Sequence, residues 1–159
     1  MSIFIKICGI TNDEDANLSI EYGADAIGLN QYEKSPRFVN KKELLKIKNT
    51  LNDDVLIVPV FVNPKEGEVL RFLDIYPNSV LQFHGNESLE FCKKFGRPFI
   101  KSMNIDGSIN AYDYQKGYPS AKYFLLDSGD EDLYGGTGKK FDWKKIPRDL
   151  NNLIVAGGL

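Results

Sequence analysis

Apolar residues recur along the chain in two alternating rhythms. Ile3 to Cys8 is a short apolar run with β-branched residues, bounded by Gly9, and predicts a strand. The period then lengthens. Thr11, Asn12 and Asp13 are N-cap types, and Ala16, Leu18, Ile20 and Tyr22 fit a helix that Gly23 closes. Asp25 to Leu29 reads as a second strand. After a polar loop over Gln31 to Asn40, Lys41 to Leu51 reads as a second helix through Leu44, Leu45 and Ile47. The alternation continues with a strand at Leu56 to Val62, a helix from Pro64 to Tyr76, a strand at Val80 to His84 and a helix from Glu87 to Phe95. Phe99 to Met103 is a fifth strand, Ile109 to Gln115 a poor helix and Tyr123 to Asp127 a sixth strand. Asp142 to Ile146 is a short helix, and Leu153 to Ala156 is a seventh strand.

Strands rich in Val, Ile and Leu that alternate with helical patterns predict a parallel sheet covered by helices, in one α/β domain over 1–159. An open doubly wound sheet and a (β/α)8 barrel both satisfy this. No G-x-G-x-x-G follows the first strand, which weighs against a dinucleotide-binding sheet. Cys8, Asn30, Asn63, His84 and Asp127 each fall at or just beyond the C-terminal end of a different strand, the face on which a barrel carries its chemistry.

Composition narrows the function classes. The 159 residues are 42% hydrophobic and 26% charged, with a net charge of -2, as in a soluble domain with a real core. Nucleic acid is not an expected partner, because neutralising phosphates takes clustered cations; Lys41, Lys42, Lys46 and Lys48 are spaced as the solvated face of a helix. Two cysteines, Cys8 and Cys92, form no framework, and a single histidine makes a zinc site an unlikely construction, so no metal is expected. There is neither a secretion signal nor an apolar run long enough to span a membrane, and a reducing cytoplasm is the default location.

Several blocks then carry a resemblance. They are Lys6-Ile7-Cys8-Gly9-Ile10-Thr11, Gly23-Ala24-Asp25-Ala26-Ile27-Gly28, Lys34-Ser35-Pro36-Arg37-Phe38-Val39 and Val60-Phe61-Val62-Asn63. They continue with Leu81-Gln82-Phe83-His84-Gly85, with Leu126-Asp127-Ser128 joined to Gly135-Gly136-Thr137-Gly138 and Phe141-Asp142-Trp143, and with Ala156-Gly157-Gly158-Leu159. Together, and in this order, they resemble phosphoribosylanthranilate isomerase. The resemblance implies a (β/α)8 TIM barrel and a cofactor-free Amadori rearrangement in tryptophan biosynthesis. The substrate is a phosphorylated small molecule, N-(5-phosphoribosyl)anthranilate. It also implies Cys8 and Asp127 as the catalytic pair, Arg37 as the clamp for the anthranilate carboxylate, and a lid made by Gly135 and Gly136 with Thr137 and Gly138. Gly157 and Gly158 match the glycines whose backbone N–H groups approach the substrate phosphate.

The residues can perform that reaction. Opening a sugar ring needs an acid at the ring oxygen, and forming an enol needs a base at the adjacent carbon. Side chains alternate along a strand, so Ile3, Ile5 and Ile7 are expected to meet the helices while Phe4, Lys6 and Cys8 point inward. A thiol ordinarily titrates near about 8.5 and needs a nearby cation to serve as a base, for which Lys6 is a candidate. Asp127 faces inward with Leu125 and Tyr123, and His84 with Gln82, as a substrate-lining group or a satisfied core histidine. Cys92 reads as structural. A different barrel enzyme using a Schiff base would need a lysine, for which Lys101, read as inward, is the candidate.

The resembled family continues through an eighth strand and helix, whereas this chain ends at Leu159 within its seventh unit. That pattern predicts an incomplete barrel of about seven strands and six helices. It leaves open a monomer, a homodimer, a complementing C-terminal segment, or an inactive relative that only binds ligand.

Overall fold

The computed structural model describes residues 3–51, 54–104, 110–127, 150 and 152–157. The chain divides into two compact units, Met1–Leu81 and Gln82–Leu159.

In the first unit, β1 (Lys6–Cys8), β2 (Ala26–Asn30) and β3 (Leu56–Phe61) run parallel, with Lys6 opposite Ala26 and Ala26 opposite Leu56. Three helices alternate with them: α1 (Asp13–Glu21), α2 (Lys41–Thr50) and α3 (Glu66–Ile75). Local chemistry sets their starts. Asn12 caps α1 by accepting from the Asp15 N–H, and Asn40 forms a capping box with Glu43 at α2. The α3 start at Glu66 lies two residues beyond Pro64, where the Lys65 N–H donates to Glu68 Oε2 at 2.9 Å. Ile27, Leu29, Ile47, Val58, Val69 and Phe72 are buried, and the Tyr76 hydroxyl ties α3 to α2 by donating to the Leu44 carbonyl at 2.9 Å.

The isoleucine face of the first strand departs from expectation. Ile3, Ile5 and Ile7 are 83%, 44% and 40% exposed. Among the described residues β1 pairs only with β2, and its ladder begins at Lys6, so Ile3 and Ile5 precede the paired segment. On the face expected to point inward, Phe4 is 52% exposed and Cys8 is exposed as well, so burial does not distinguish the two faces that alternation predicts.

In the second unit β4 (Leu81–Phe83), β5 (Phe99–Asn104), β6 (Tyr123–Asp127) and β7 (Leu153–Val155) follow one another in the sheet. The parallel register places Ser102 opposite Leu125 and Leu126 opposite Val155. Helix α4 (Leu89–Lys93) is shorter than its sequence pattern, and α5 (Ala111–Gly117) is better formed than the poor periodicity of that stretch implies. The reason for the second is Asn110, whose side chain accepts from the N–H groups of Tyr112 and Asp113. Phe83 centres the apolar side, with the rings of Phe91, Phe95 and Phe99 at 5.9, 6.2 and 6.2 Å. The expected helix at Asp142 to Ile146 lies outside the described residues.

Candidate active site

Cys8 ends β1 directly opposite Gly28 of β2, and it is exposed. A Cβ on Gly28 would approach the Cys8 sulfur to 2.7 Å, so the thiol lies over the space left by the missing side chain. Gly9 then turns the chain with φ of 89°, a left-handed conformation natural to glycine, and donates its N–H to the Gly28 carbonyl at 2.9 Å. A Cβ on Gly9 would meet Arg37 Nη1 at 2.5 Å and Cδ at 2.7 Å. The guanidinium therefore lies across the residue that follows Cys8. Sequence reasoning offered Lys6 as the cation near the thiol; the structure brings Arg37 to its neighbour instead.

Asn30, the last residue of β2, shapes the loop that delivers Arg37. Its Oδ1 accepts from the Tyr32 N–H at 2.9 Å, and its Nδ2 donates to Ser35 Oγ at 3.1 Å. The same hydroxyl accepts from the Arg37 N–H at 3.2 Å. At the loop's far end the Val39 N–H returns to the Asn30 carbonyl at 3.0 Å. A cavity of about 400 Å³ lies farther out between this loop and helices α2 and α3, lined in part by Phe38, Leu44, Phe61 and Phe72; neither Cys8 nor Arg37 lines it.

In the second unit, His84 Nε2 lies 3.3 Å from Asp127 Oδ2, with both side chains mostly buried. The other ring nitrogen, Nδ1, lies 2.9 Å from Ser102 Oγ and 3.1 Å from Gln82 Nε2. Gln82, His84, Ser102 and Asp127 thus share one face of three successive strands, β4, β5 and β6. The expected inward pairs of Gln82 with His84 and Leu125 with Asp127 fit this arrangement. Ser102 was missed. Its signal was a hydroxyl next to Lys101 in the strand Phe99–Asn104.

Lys101 requires a correction. It precedes Ser102, so it points to the opposite face, away from His84 and Asp127. There it is fully buried and bonded to Glu87 Oε2 at 2.9 Å and to the Gly85 carbonyl, with the Tyr118 ring 5.5 Å from its nitrogen. Glu87 also accepts from the Gly85 N–H through both oxygens at 3.1 Å. The pair pins the β4–α4 turn, and α4 begins just after it because the Ser88 hydroxyl caps the helix by accepting from the Phe91 N–H at 3.2 Å. A Schiff-base role for Lys101 loses its geometric basis.

Gly157 follows β7 with φ of 78°, just after the Ala156 N–H donates to the Leu126 carbonyl at 2.8 Å. It therefore sits at the strand end beside that of Asp127. Gly135, Gly136 and Gly158 lie outside the described residues. Cys92 is buried, and desolvation pushes its thiol up to about 12, in keeping with a structural role. Among the described residues no helix is long and apolar enough to cross a membrane.

The family profile of N-(5'phosphoribosyl)anthranilate (PRA) isomerase matches residues 5–159. The chain belongs to this family. The N-(5'-phosphoribosyl)anthranilate isomerase of Nitrosospira multiformis is 41% identical over 160 residues, covering 100% of this chain and 77% of the relative. Phosphoribosyl anthranilate isomerase from Thermotoga maritima superposes with a TM-score of 0.84 at 33% identity, covering 99% of this chain and 78% of that one. A further phosphoribosyl anthranilate isomerase, solved in complex with reduced 1-(o-carboxyphenylamino)-1-deoxyribulose 5-phosphate, matches with a TM-score of 0.66 at 29% identity over 79% of this chain and 75% of its own. The PRA isomerase fold is the (β/α)8 barrel, and the parallel strands and alternating helices here are those of that fold. As a PRA isomerase family member the chain is an isomerase of the tryptophan pathway, acting on a phosphorylated small molecule.

Proposed function

We propose that the chain isomerises N-(5-phosphoribosyl)anthranilate to 1-(2-carboxyphenylamino)-1-deoxyribulose 5-phosphate, with Cys8 as general base and Asp127 as general acid. Asp127 gives a proton to the furanose ring oxygen, which breaks the C1–O bond as the anilino nitrogen pushes in and leaves a protonated imine (iminium) at C1. Cys8 then removes the proton from C2 to give the neutral enol-amine, which becomes the ketone as C1 gains a proton and the C2 hydroxyl loses one. Arg37 binds the anthranilate carboxylate through its planar guanidinium. The backbone N–H groups at Gly157 and Gly158 receive the phosphate, and Gly135 and Gly136 belong to the loop that closes over the substrate. His84 lines the substrate site on the Asp127 side. The setting is a reducing cytoplasm, which suits two cysteines that are both free.

The observation that carries this reading is the seat of Arg37 across Gly9. A carboxylate held by that guanidinium brings the anthranilate end of the substrate to the residue beside Cys8. Turnover of phosphoribosylanthranilate by the purified protein, followed by loss of its fluorescence, provides the test. Cys8→Ala and Asp127→Ala are each expected to lower kcat by at least about 100-fold with the circular dichroism spectrum retained. Turnover near the parent level in either variant would remove that residue from the acid/base pair.

A further inference from the structure

Gln82 is 2% exposed, and its Oε1 has no hydrogen-bond partner among the described residues. A carbonyl oxygen is costly to bury in that state, and this one belongs to the amide that touches His84. The amide NH2 group can only donate, so Gln82 Nε2 at 3.1 Å from His84 Nδ1 requires that nitrogen to be bare. The ring proton is then on Nε2 and donates to Asp127 Oδ2 at 3.3 Å, a bond that favours the ionised carboxylate. An ionised Asp127 cannot act as an acid. Turning the Gln82 amide by half a revolution reverses every element of this chain. Oε1 then accepts from Nδ1–H, Nε2 is bare, and it accepts from a carboxyl O–H on Asp127.

We infer that Gln82 is a positioning residue whose two amide orientations switch His84 between holding Asp127 ionised and holding it protonated. The inference rests on the assignment of Asp127 as the general acid. The two states differ by one proton, which is taken up at Nδ1 and balanced by transfer of the Nε2 proton to the Asp127 oxygen. In each orientation one end of the amide is paired and the other is not, and because the two states differ by one proton, rising pH favours the first. The Ser102 hydroxyl, 2.9 Å from Nδ1, shares that nitrogen's single lone pair or single proton with Gln82, and by rotating it can donate in the first state and accept in the second. Among the described residues, the ionisable groups on neighbouring elements have other partners. Lys101 of β5 and Glu87 of the β4–α4 turn are paired with each other on the opposite face, and the Tyr114 hydroxyl of α5 donates to the Ser102 carbonyl.

His84 is the only histidine in the chain, so the imidazole ¹⁵N spectrum of the labelled full chain reports one ring without assignment. At alkaline pH the parent ring is expected to carry its proton on Nε2; a ring carrying it on Nδ1 there would overturn the inference. Gln82→Glu replaces the amide by a group that only accepts. It is expected to move the proton to Nδ1 and to shift the alkaline limb of the kcat profile to higher pH. Unchanged ring shifts in Gln82→Glu would also overturn it, and if the buried carboxylate prevents folding, the parent spectrum alone decides. Asp127→Asn separates the two claims. If that variant retains turnover, the acid assignment fails whatever the ring shows. If it is inactive and the Gln82→Glu ring is unchanged, only the role of Gln82 falls.

Discussion

The sulfur of Cys8 fills the place where a side chain at position 28 would begin, with only 2.7 Å between Sγ and a Cβ built on Gly28. Gly28→Ala therefore pushes the thiol off its position while leaving the β1–β2 ladder in register. The expected result is a fall in kcat of about 10-fold or more and a lower melting temperature. In a Cys8→Ala background the same change meets much less crowding. The stability cost should shrink there, giving a coupling energy of about 0.5–3 kcal/mol in the double-mutant cycle. Strict additivity of the two changes in thermal denaturation would mean that the contact does not govern position 28.

Arg37 and Gly9 form a second contact of the same kind, and it offers a test of the proposed carboxylate clamp. Arg37→Lys keeps the charge but loses the planar fork, so KM should rise about 10-fold with kcat nearly unchanged. Gly9→Ala drives a methyl group into the guanidinium and strains a backbone at φ of 89°. It should raise KM as well, and should add little to the KM of Arg37→Ala. Steady-state kinetics on the three single variants and the Gly9→Ala/Arg37→Ala double variant checks both statements, and an unchanged KM in Arg37→Lys would deprive the clamp of support.

The two thiols should differ sharply in reactivity. Cys8 is exposed, while Cys92 is buried with its thiol pushed up to about 12 by desolvation. The thiolate is the nucleophile, so at pH 8 iodoacetamide should label Cys8 and leave Cys92 intact in the folded protein. Peptide mass spectrometry reads the site, and activity should fall in step with labelling of Cys8. Equal labelling of both cysteines under native conditions would contradict the burial of Cys92.

The Lys101–Glu87 pair makes a prediction about stability. Removing one partner strands a buried charge, so Lys101→Met should cost about 3–5 kcal/mol in denaturant unfolding. Lys101→Met combined with Glu87→Leu should recover a large part of that cost, because no uncompensated charge remains. A double variant as unstable as the single one would show that the Gly85 contacts, and not the charge balance, dominate the turn.

The fate of Lys101 also shows where reading the chain by pattern stops. The strand boundaries at Tyr123–Asp127, the helix at Lys41–Thr50 and the Asn12 cap were legible because periodicity and capping are local properties. Alternation likewise put Gln82 with His84. In Phe99 to Met103, however, both faces of the strand are largely apolar, so alternation gives two faces without saying which is which. The phase is settled only by the neighbours, through Ser102 opposite Leu125 and bonded to His84. The exposed isoleucines of β1 fail for a related reason, since cover is a property of what packs nearby and leaves no mark in the strand itself. The Glu87–Lys101 pair joins residues far apart in sequence, and no local pattern announces it.

The loop after β2 is sewn shut at its base. Gln31 Nε2 donates to the Asn30 and Val39 carbonyls at 3.0 and 3.1 Å, and the Val39 N–H closes onto Asn30. Its closure is thus secured by its own flanking residues and not by its tip. Lengthening the segment after Tyr32 should therefore cost little stability, since the entropic cost of a longer loop grows only slowly with its length.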